Sequence, residues 1–207
     1  MIKFGKIIEE DAGAGLQTDP VYRLRLESAR AINYKDMVVQ FNEEEYVMVS
    51  IKYHPIGIIH SPHKSTEGTP IQPAGAKGIE GKIEIFPEYA EGLSDLAEFS
   101  HIFILYHFHL SRKYSLKVKP FLDDQERGLF ATRAPSRPNP IGLSVVRLID
   151  VKKGNLHVQD VDVVDGTPLL DIKPYVPEFD VREVDRTGWI GKKTGKIEGV
   201  VDDGRFT

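Results

Sequence analysis

Residues 141–164, IGLSVVRLIDVKKGNLHVQDVDVV, decide how the chain folds. The runs IGLSVVRLIDV (141–151) and LHVQDVDVV (156–164) alternate or run apolar with β-branched residues, the pattern of strands. KKGN (152–155) between them is a turn former, so the stretch predicts a β-hairpin. The same pattern recurs in KIEIF (82–86), and DGTP (165–168) punctuates the end of the second run. SHIFILYHFHL (100–110) is too apolar for a sheet edge. One short helix is expected over EGLSDLAEF (91–99), with Leu93, Leu96, Ala97 and Phe99 roughly on one side. Many short strands, irregular Pro/Gly loops and little helix predict a mainly β fold, a single antiparallel β-barrel rather than a βαβ architecture.

Composition narrows the chemistry. A chain of 207 residues, 41% hydrophobic and 28% charged, holds one ordinary core and a small appendage. The expected division is a β-containing N-terminal extension over 1–52, the barrel over 53–191 and a C-terminal tail over 192–207. Cysteine is absent, which excludes disulfides, thiolate nucleophiles and cysteine-ligated metals and leaves Ser, His, Asp and Glu to act. No apolar run is long enough to span a bilayer. MIKFGKIIEEDAGAG at the N-terminus carries acids where a signal peptide needs an apolar core, so a cytoplasmic protein is expected. Net charge is −4, and the whole chain is no electrostatic nucleic-acid binder. Charge is nonetheless segregated: basic residues gather in RKYSLKVK (112–119), at Arg133 and Arg137, and in GKKTGK (191–196), acids in NEEE (42–45) and DDQE (123–126). Neither a dinucleotide fingerprint nor a P-loop occurs; GAG at 13–15 lacks the third glycine and the following helix.

Three stretches carry candidate chemistry. In ATRAPSRPNPIGLS (131–144), Ala134, Arg137 and Asn139 each precede a proline, which biases them to extended geometry and stiffens the loop. Pro135, Pro138 and Pro140 lack N–H groups, so the loop offers carbonyl acceptors, while Arg133 and Arg137 add forked donors for a carboxylate or phosphate. The alternative is a connector whose arginines pair with surface acids. In VDVVDGTPLLDIKPY (161–175), Asp171 and Lys173 stand two apart and share a face of an extended chain, either to tune each other around a substrate proton or as an inert ion pair. His101, His107 and His109 share one parity. Two ligands on a strand do not make a metal site, and none is expected. Ser61 would be a nucleophile only with a base aimed at it.

Five motifs in order, PIGIIHSPH (55–63), GTPIQP (68–73), FSHIFILYHFH (99–109), FATRAPSRPNPIGLS (130–144) and VDGTPLLDIKPYVP (164–177), resemble the TsaA-like, or TrmO, family across roughly residues 53–191. The resemblance implies a barrel unlike the Rossmann-type methyltransferases, S-adenosylmethionine as methyl donor, a homodimer, and N6-methylation of threonylcarbamoyladenosine beside the anticodon of a tRNA. By position it places donor binding on Pro70, Ile71, Gln72, His109, Leu110, Arg133, Leu143, Gln159, Asp160, Val161 and Asp162. Position 71 is often arginine in the family and is isoleucine here. The Asp-x-Lys-Pro motif falls on Asp171, Lys173 and Pro174, with Tyr175 following. On this reading Asp171 is the base for the N6 proton or its orienter, Lys173 holds a carboxylate or phosphate, and Tyr175 stacks or hydrogen-bonds. Two other readings remain: a small-molecule methyltransferase on the same barrel, and a donor- or RNA-binding module without catalysis.

Overall fold

The computed structural model describes residues 22–25, 37–41, 46–191 and 199–206. GAG at 13–15, the acidic cluster at 42–45 and most of the 191–196 basic cluster lie outside them. The chain divides into two compact units, Met1–His54 and Pro55–Thr207. In the first, β1 (Tyr22–Arg25), β2 (Met37–Phe41) and β3 (Tyr46–Ile51) form an antiparallel sheet with β3 central.

The second unit is built on a closed barrel. Its strands are β4 (Gly57–His60), β5 (Glu80–Ile85), β6 (His101–His107), β9 (Ile141–Lys152), β10 (Asn155–Gln159) and β11 (Thr167–Pro174), in the order β10-β5-β4-β11-β6-β9. Every neighbouring pair is antiparallel. Closure leaves no strand edge unpaired, and it suits a chain whose strands have one apolar face. The remaining pair, β7 (Lys117–Val118) with β8 (Arg127–Gly128), lies in the long β6–β9 connection.

Burial alternates along the barrel strands. On β6, Ile102, Ile104 and Tyr106 point inward, and on β9 Val146 and Leu148 do so. They meet Ile59, Ile83, Leu156, Val158, Val161 and Leu169 in one core. Full burial of each such side chain contributes about 1.5–3 kcal/mol. The 152–155 hairpin forms as expected, with Lys153 at φ 49° and Gly154 at φ 76°. Two successive left-handed residues make the turn whose twist matches the flanking strands.

The helix expected over 91–99 does not form. Two 3₁₀ turns, Pro87–Leu93 and Leu96–Glu98, take its place, separated by Asp95 at φ 64°. A segment this short gains too few hydrogen bonds to offset nucleation, and its shape is set by seating Leu93 and Leu96 on the barrel core.

Two bulges redirect side chains. Between β10 and β9, His157 opposes Asp150 while Val158 opposes Leu148, so Ile149 is the extra residue. Between β11 and β6, Leu169 opposes Tyr106 while Asp171 opposes Leu105, which makes Leu170 the extra residue. Inward parity on β11 therefore switches from Thr167 and Leu169 to Ile172, which packs on the core. Asp171 and Lys173 are turned to the outside.

Candidate functional site

At the end of the barrel where β6 finishes and β9 and β11 begin, a cavity of about 950 Å³ opens. That lies in the upper part of the range for small-molecule sites. Its floor carries a hydrogen-bonded chain. The Ser144 hydroxyl donates to Asp162 Oδ1 at 2.7 Å, and Tyr106 Oη stands 3.1 Å from Ser144 Oγ. Since the single Ser144 proton goes to the carboxylate, Tyr106 is the donor to Ser144. Gly142 makes room for the tyrosine ring: a Cβ there would lie 2.2 Å from it.

Burial governs the electrostatics of this chain. Desolvation raises the Asp162 carboxyl from 3.8 to about 6, against the opposing pull of the Ser144 hydrogen bond and the Arg133 charge. Asp162 keeps partial access to solvent, and the cavity it lines supplies that access within an otherwise packed surrounding. The Tyr106 phenol is pushed well above its ordinary value, first by burial and then by the Asp162 charge. His109 is lowered from 6.5 by desolvation and then by His107, so it is neutral at pH 7. The Thr167 hydroxyl donates to Val164 O at 2.7 Å, so its contact of 3.3 Å with His109 Nδ1 makes Nδ1 the donor. Nε2 of His109 is then an acceptor.

Across the cavity, Arg133 Nη1 donates to Gln72 Oε1 at 2.7 Å. Pro70, Ile71, Gln72, His109, Leu110, Arg133, Leu143 and Asp162 all line this one space. Gln159, Asp160 and Val161 do not. Gln159 reaches Glu80 at 3.5 Å, Asp160 at φ 69° accepts the Gly78 N–H at 2.7 Å, and Val161 is core.

The DIKPY residues are also elsewhere. Asp171 and Lys173 pair at 2.7 Å on the outer face of β11. Tyr175 packs edge-on against Phe103, with ring centroids 5.4 Å apart, and against His101. None of the three lines the cavity of its own barrel.

Both arginines of the proline loop line the cavity. Arg133 reaches Gln72, whereas Arg137 Nη1 donates back to the carbonyls of Thr132 and Ala134 at 3.1 and 3.4 Å. Other loop carbonyls are also taken: Pro135 O accepts from Arg137 N and Ser111 Oγ, and Pro140 O from Phe108 N. The loop is a stiff frame for Arg133 and not the open row of acceptors expected from its prolines. Ser61 is buried, donating to Val163 O at 2.6 Å and accepting from His63 N–H, a structural role. Among the described residues no group of three or more His, Asp or Glu could hold a metal ion.

Sequence reasoning missed a further part of the lining. Trp189 lines the cavity, its indole N–H held by Ala131 O at 2.8 Å, and Asp202 and Phe206 join it. Asp202 is fixed by backbone bonds with Gly68 and Thr69, both 2.8 Å, beside the Pro70–Val201 bridge. A lone tryptophan in a glycine-rich tail was the available signal.

Among the described residues, a closed antiparallel barrel with a mixed polar and apolar cavity at its mouth is a non-Rossmann fold. The sequence model of the tRNA-methyltransferase O N-terminal domain matches residues 58–181, and the chain belongs to that family. A probable S-adenosyl-L-methionine-binding protein of Pyrococcus abyssi is 59% identical over 156 residues, 75% of this chain and 85% of the relative. The human tRNA (adenine(37)-N6)-methyltransferase is 38% identical over 133 residues, 61% of this chain but 30% of that protein. The crystal structure of TrmO from Pseudomonas aeruginosa superposes with a TM-score of 0.57 at 38% identity, covering 68% of this chain and 62% of that one. The chain thus spans less than two thirds of the solved protein. Thr187–Ile190, Asp202 and Phe206, which also line the cavity, lie beyond the matched domain.

Proposed function

We propose that the protein is an S-adenosylmethionine-dependent methyltransferase that N6-methylates the adenosine beside the anticodon of tRNA, in its threonylcarbamoylated form. The observation that carries the reading is the convergence of Pro70, Gln72, His109, Arg133, Leu143 and Asp162 on one cavity. The donor presents an amino-acid end, a sulfonium and a purine. Arg133 suits its carboxylate, Asp162 its cationic groups, and Leu143 and Ile71 its apolar surface. S-adenosylmethionine supplies a methyl group on a positively charged sulfur, ready for attack by a nitrogen. The acceptor N6 lone pair is withdrawn by the ring and the carbamoyl group, so removal of its proton assists the new N–C bond. Asp171 takes that proton, with Lys173 holding a substrate carboxylate or phosphate and Tyr175 packing alongside.

Because Asp171 faces outward, the reading includes a homodimer in which one protomer's DIKPY segment serves the other's cavity. The outer faces of β6 and β9 support it: Phe103, Leu105, Leu143 and Val145 face out in register beside Asp171, and Leu143 is 52% exposed. An apolar outer face continuous with the cavity rim suits a self-complementary two-fold contact. A cytoplasmic setting, where tRNA is found, belongs to the same proposal.

The test is incubation with labelled donor and total tRNA, with and without prior threonylcarbamoylation, and nucleoside mass spectrometry of the product. Label on N6 of the modified adenosine is expected. Label confined to small metabolites would favour the small-molecule methyltransferase instead.

A further inference from the structure

The basic run RKYSLKVK (112–119) plays no part in the donor cavity, yet the fold sets it on the rim. Ser111 and Pro120, which bracket it, both line the cavity. Backbone links fix it in place. Ser115 N donates to Ser136 O at 3.3 Å, Leu129 N donates to Leu116 O at 2.9 Å, and β7 pairs with β8. Leu116 is thereby held beside the segment carrying Phe130, a cavity-lining ring that is 75% exposed.

Arg112, Lys113, Lys117 and Lys119 are all exposed on this run, which contains no acid, in a chain of net charge −4. Lys119 has only a loose contact, 3.8 Å, with Asp124. Tyr114 and Leu116 are exposed among these cations, and the Arg137 guanidinium lies 5.7 Å from the Phe130 ring centroid. A merely solvated charge run gains nothing by exposing large apolar side chains. Cations interleaved with exposed aromatics are what a single nucleic-acid strand requires, phosphates on the charges and unstacked bases on the rings.

We propose that this rim, residues 112–119 with Tyr114 and Phe130, is the docking surface for the unpaired strand of an RNA acceptor. The lysines and Arg112 hold its phosphates, and Phe130 stacks a base displaced from the strand next to the donor cavity. The inference rests on the tRNA reading above and adds where the RNA lies.

The test uses the full chain, a fluorescein-labelled RNA hairpin with an adenosine in its loop, and anisotropy across a salt series, with donor affinity measured by calorimetry. The Lys113→Gln/Lys117→Gln variant, outside the cavity lining, is expected to keep wild-type donor affinity. Its slope of log affinity against log salt should be shallower by about 1.4, at roughly 0.7 per lost phosphate contact. Phe130→Ala is expected to weaken the hairpin about five- to 150-fold without changing that slope, the equivalent of the ~1–3 kcal/mol of one stacked base. If tRNA is methylated and both variants bind the hairpin like wild type, the docking surface is overturned while the enzyme assignment stands. Equal competition by polyglutamate would also overturn it, since the rim would then be a general anion site. RNA binding lost in the variants, with no methyl ever transferred by wild type, would support the surface and sink the catalytic reading.

Discussion

Replacing Asp162 by asparagine should stabilise the fold and damage donor binding, and pH separates the two effects. Folding raises the Asp162 carboxyl from 3.8 to about 6, so between those values the folded state binds more protons than the unfolded. Stability then falls as pH rises through that window and levels off above it. Two pH units at 1.36 kcal/mol each make about 3 kcal/mol, an upper value because the cavity lets some water reach the carboxylate. The Asp162→Asn side chain preserves an acceptor for the Ser144 hydroxyl and has nothing to ionise. The variant should match wild type near pH 4 and exceed it by up to about 3 kcal/mol at pH 8, a Tm higher by about 6–12 °C for a domain of this size. Urea unfolding followed by the fluorescence of Trp189, the only tryptophan, measures this at a series of pH values. In the same series, wild-type donor affinity should fall as pH drops through 6, because a protonated Asp162 no longer attracts a cation, and that dependence should vanish in the variant. A stability difference that is constant with pH, or a variant less stable than wild type at pH 8, would show that the Asp162 carboxyl is not raised by burial.

Other substitutions probe the frame and the division of labour. Gly142→Ala places a methyl 2.2 Å from the Tyr106 ring, and the displaced tyrosine should lower stability by about 1–3 kcal/mol in thermal melts. Arg133→Gln should weaken the donor roughly tenfold or more in calorimetry, from loss of a charged hydrogen bond of about 1.5–3 kcal/mol. Asp171→Asn should bind the donor normally and turn over about 10²–10⁴ times more slowly; full turnover would rule it out as the base. Mixing Arg133→Gln with Asp171→Asn protein should restore part of the methyl transfer if each site draws on two protomers, and none if each protomer works alone.

The barrel was legible from short β-branched runs separated by turn formers: the hairpin expected at KKGN forms over Ile141–Gln159, although its second run was expected to continue to 164 and residues 160–164 are not strand. The 91–99 segment misled because its apolar spacing fits a helix, while in the fold Leu93 and Leu96 need only two 3₁₀ turns to reach the core. On β11, Asp171 and Lys173 do share a face, but which face depends on the bulge at Leu170, a pairing event that no local pattern encodes. The role of Arg137 was hidden for a similar reason. Sequence shows a charged fork, and only the folded loop shows one of its nitrogens, Nη1, held by the carbonyls of Thr132 and Ala134. Trp189, Asp202 and Phe206 reach the cavity from far along the chain, and such long-range closure leaves no periodic trace.

The central claim, that the barrel-mouth cavity is the methyl-donor site, is tested most directly by a crystal structure grown with S-adenosylhomocysteine. The ligand is expected between Pro70–Gln72, Arg133, Leu143 and Asp162, with its amino-acid end toward Arg133 and the Tyr106–Ser144–Asp162 chain intact. Ligand bound elsewhere on the chain, with this cavity empty, would contradict it.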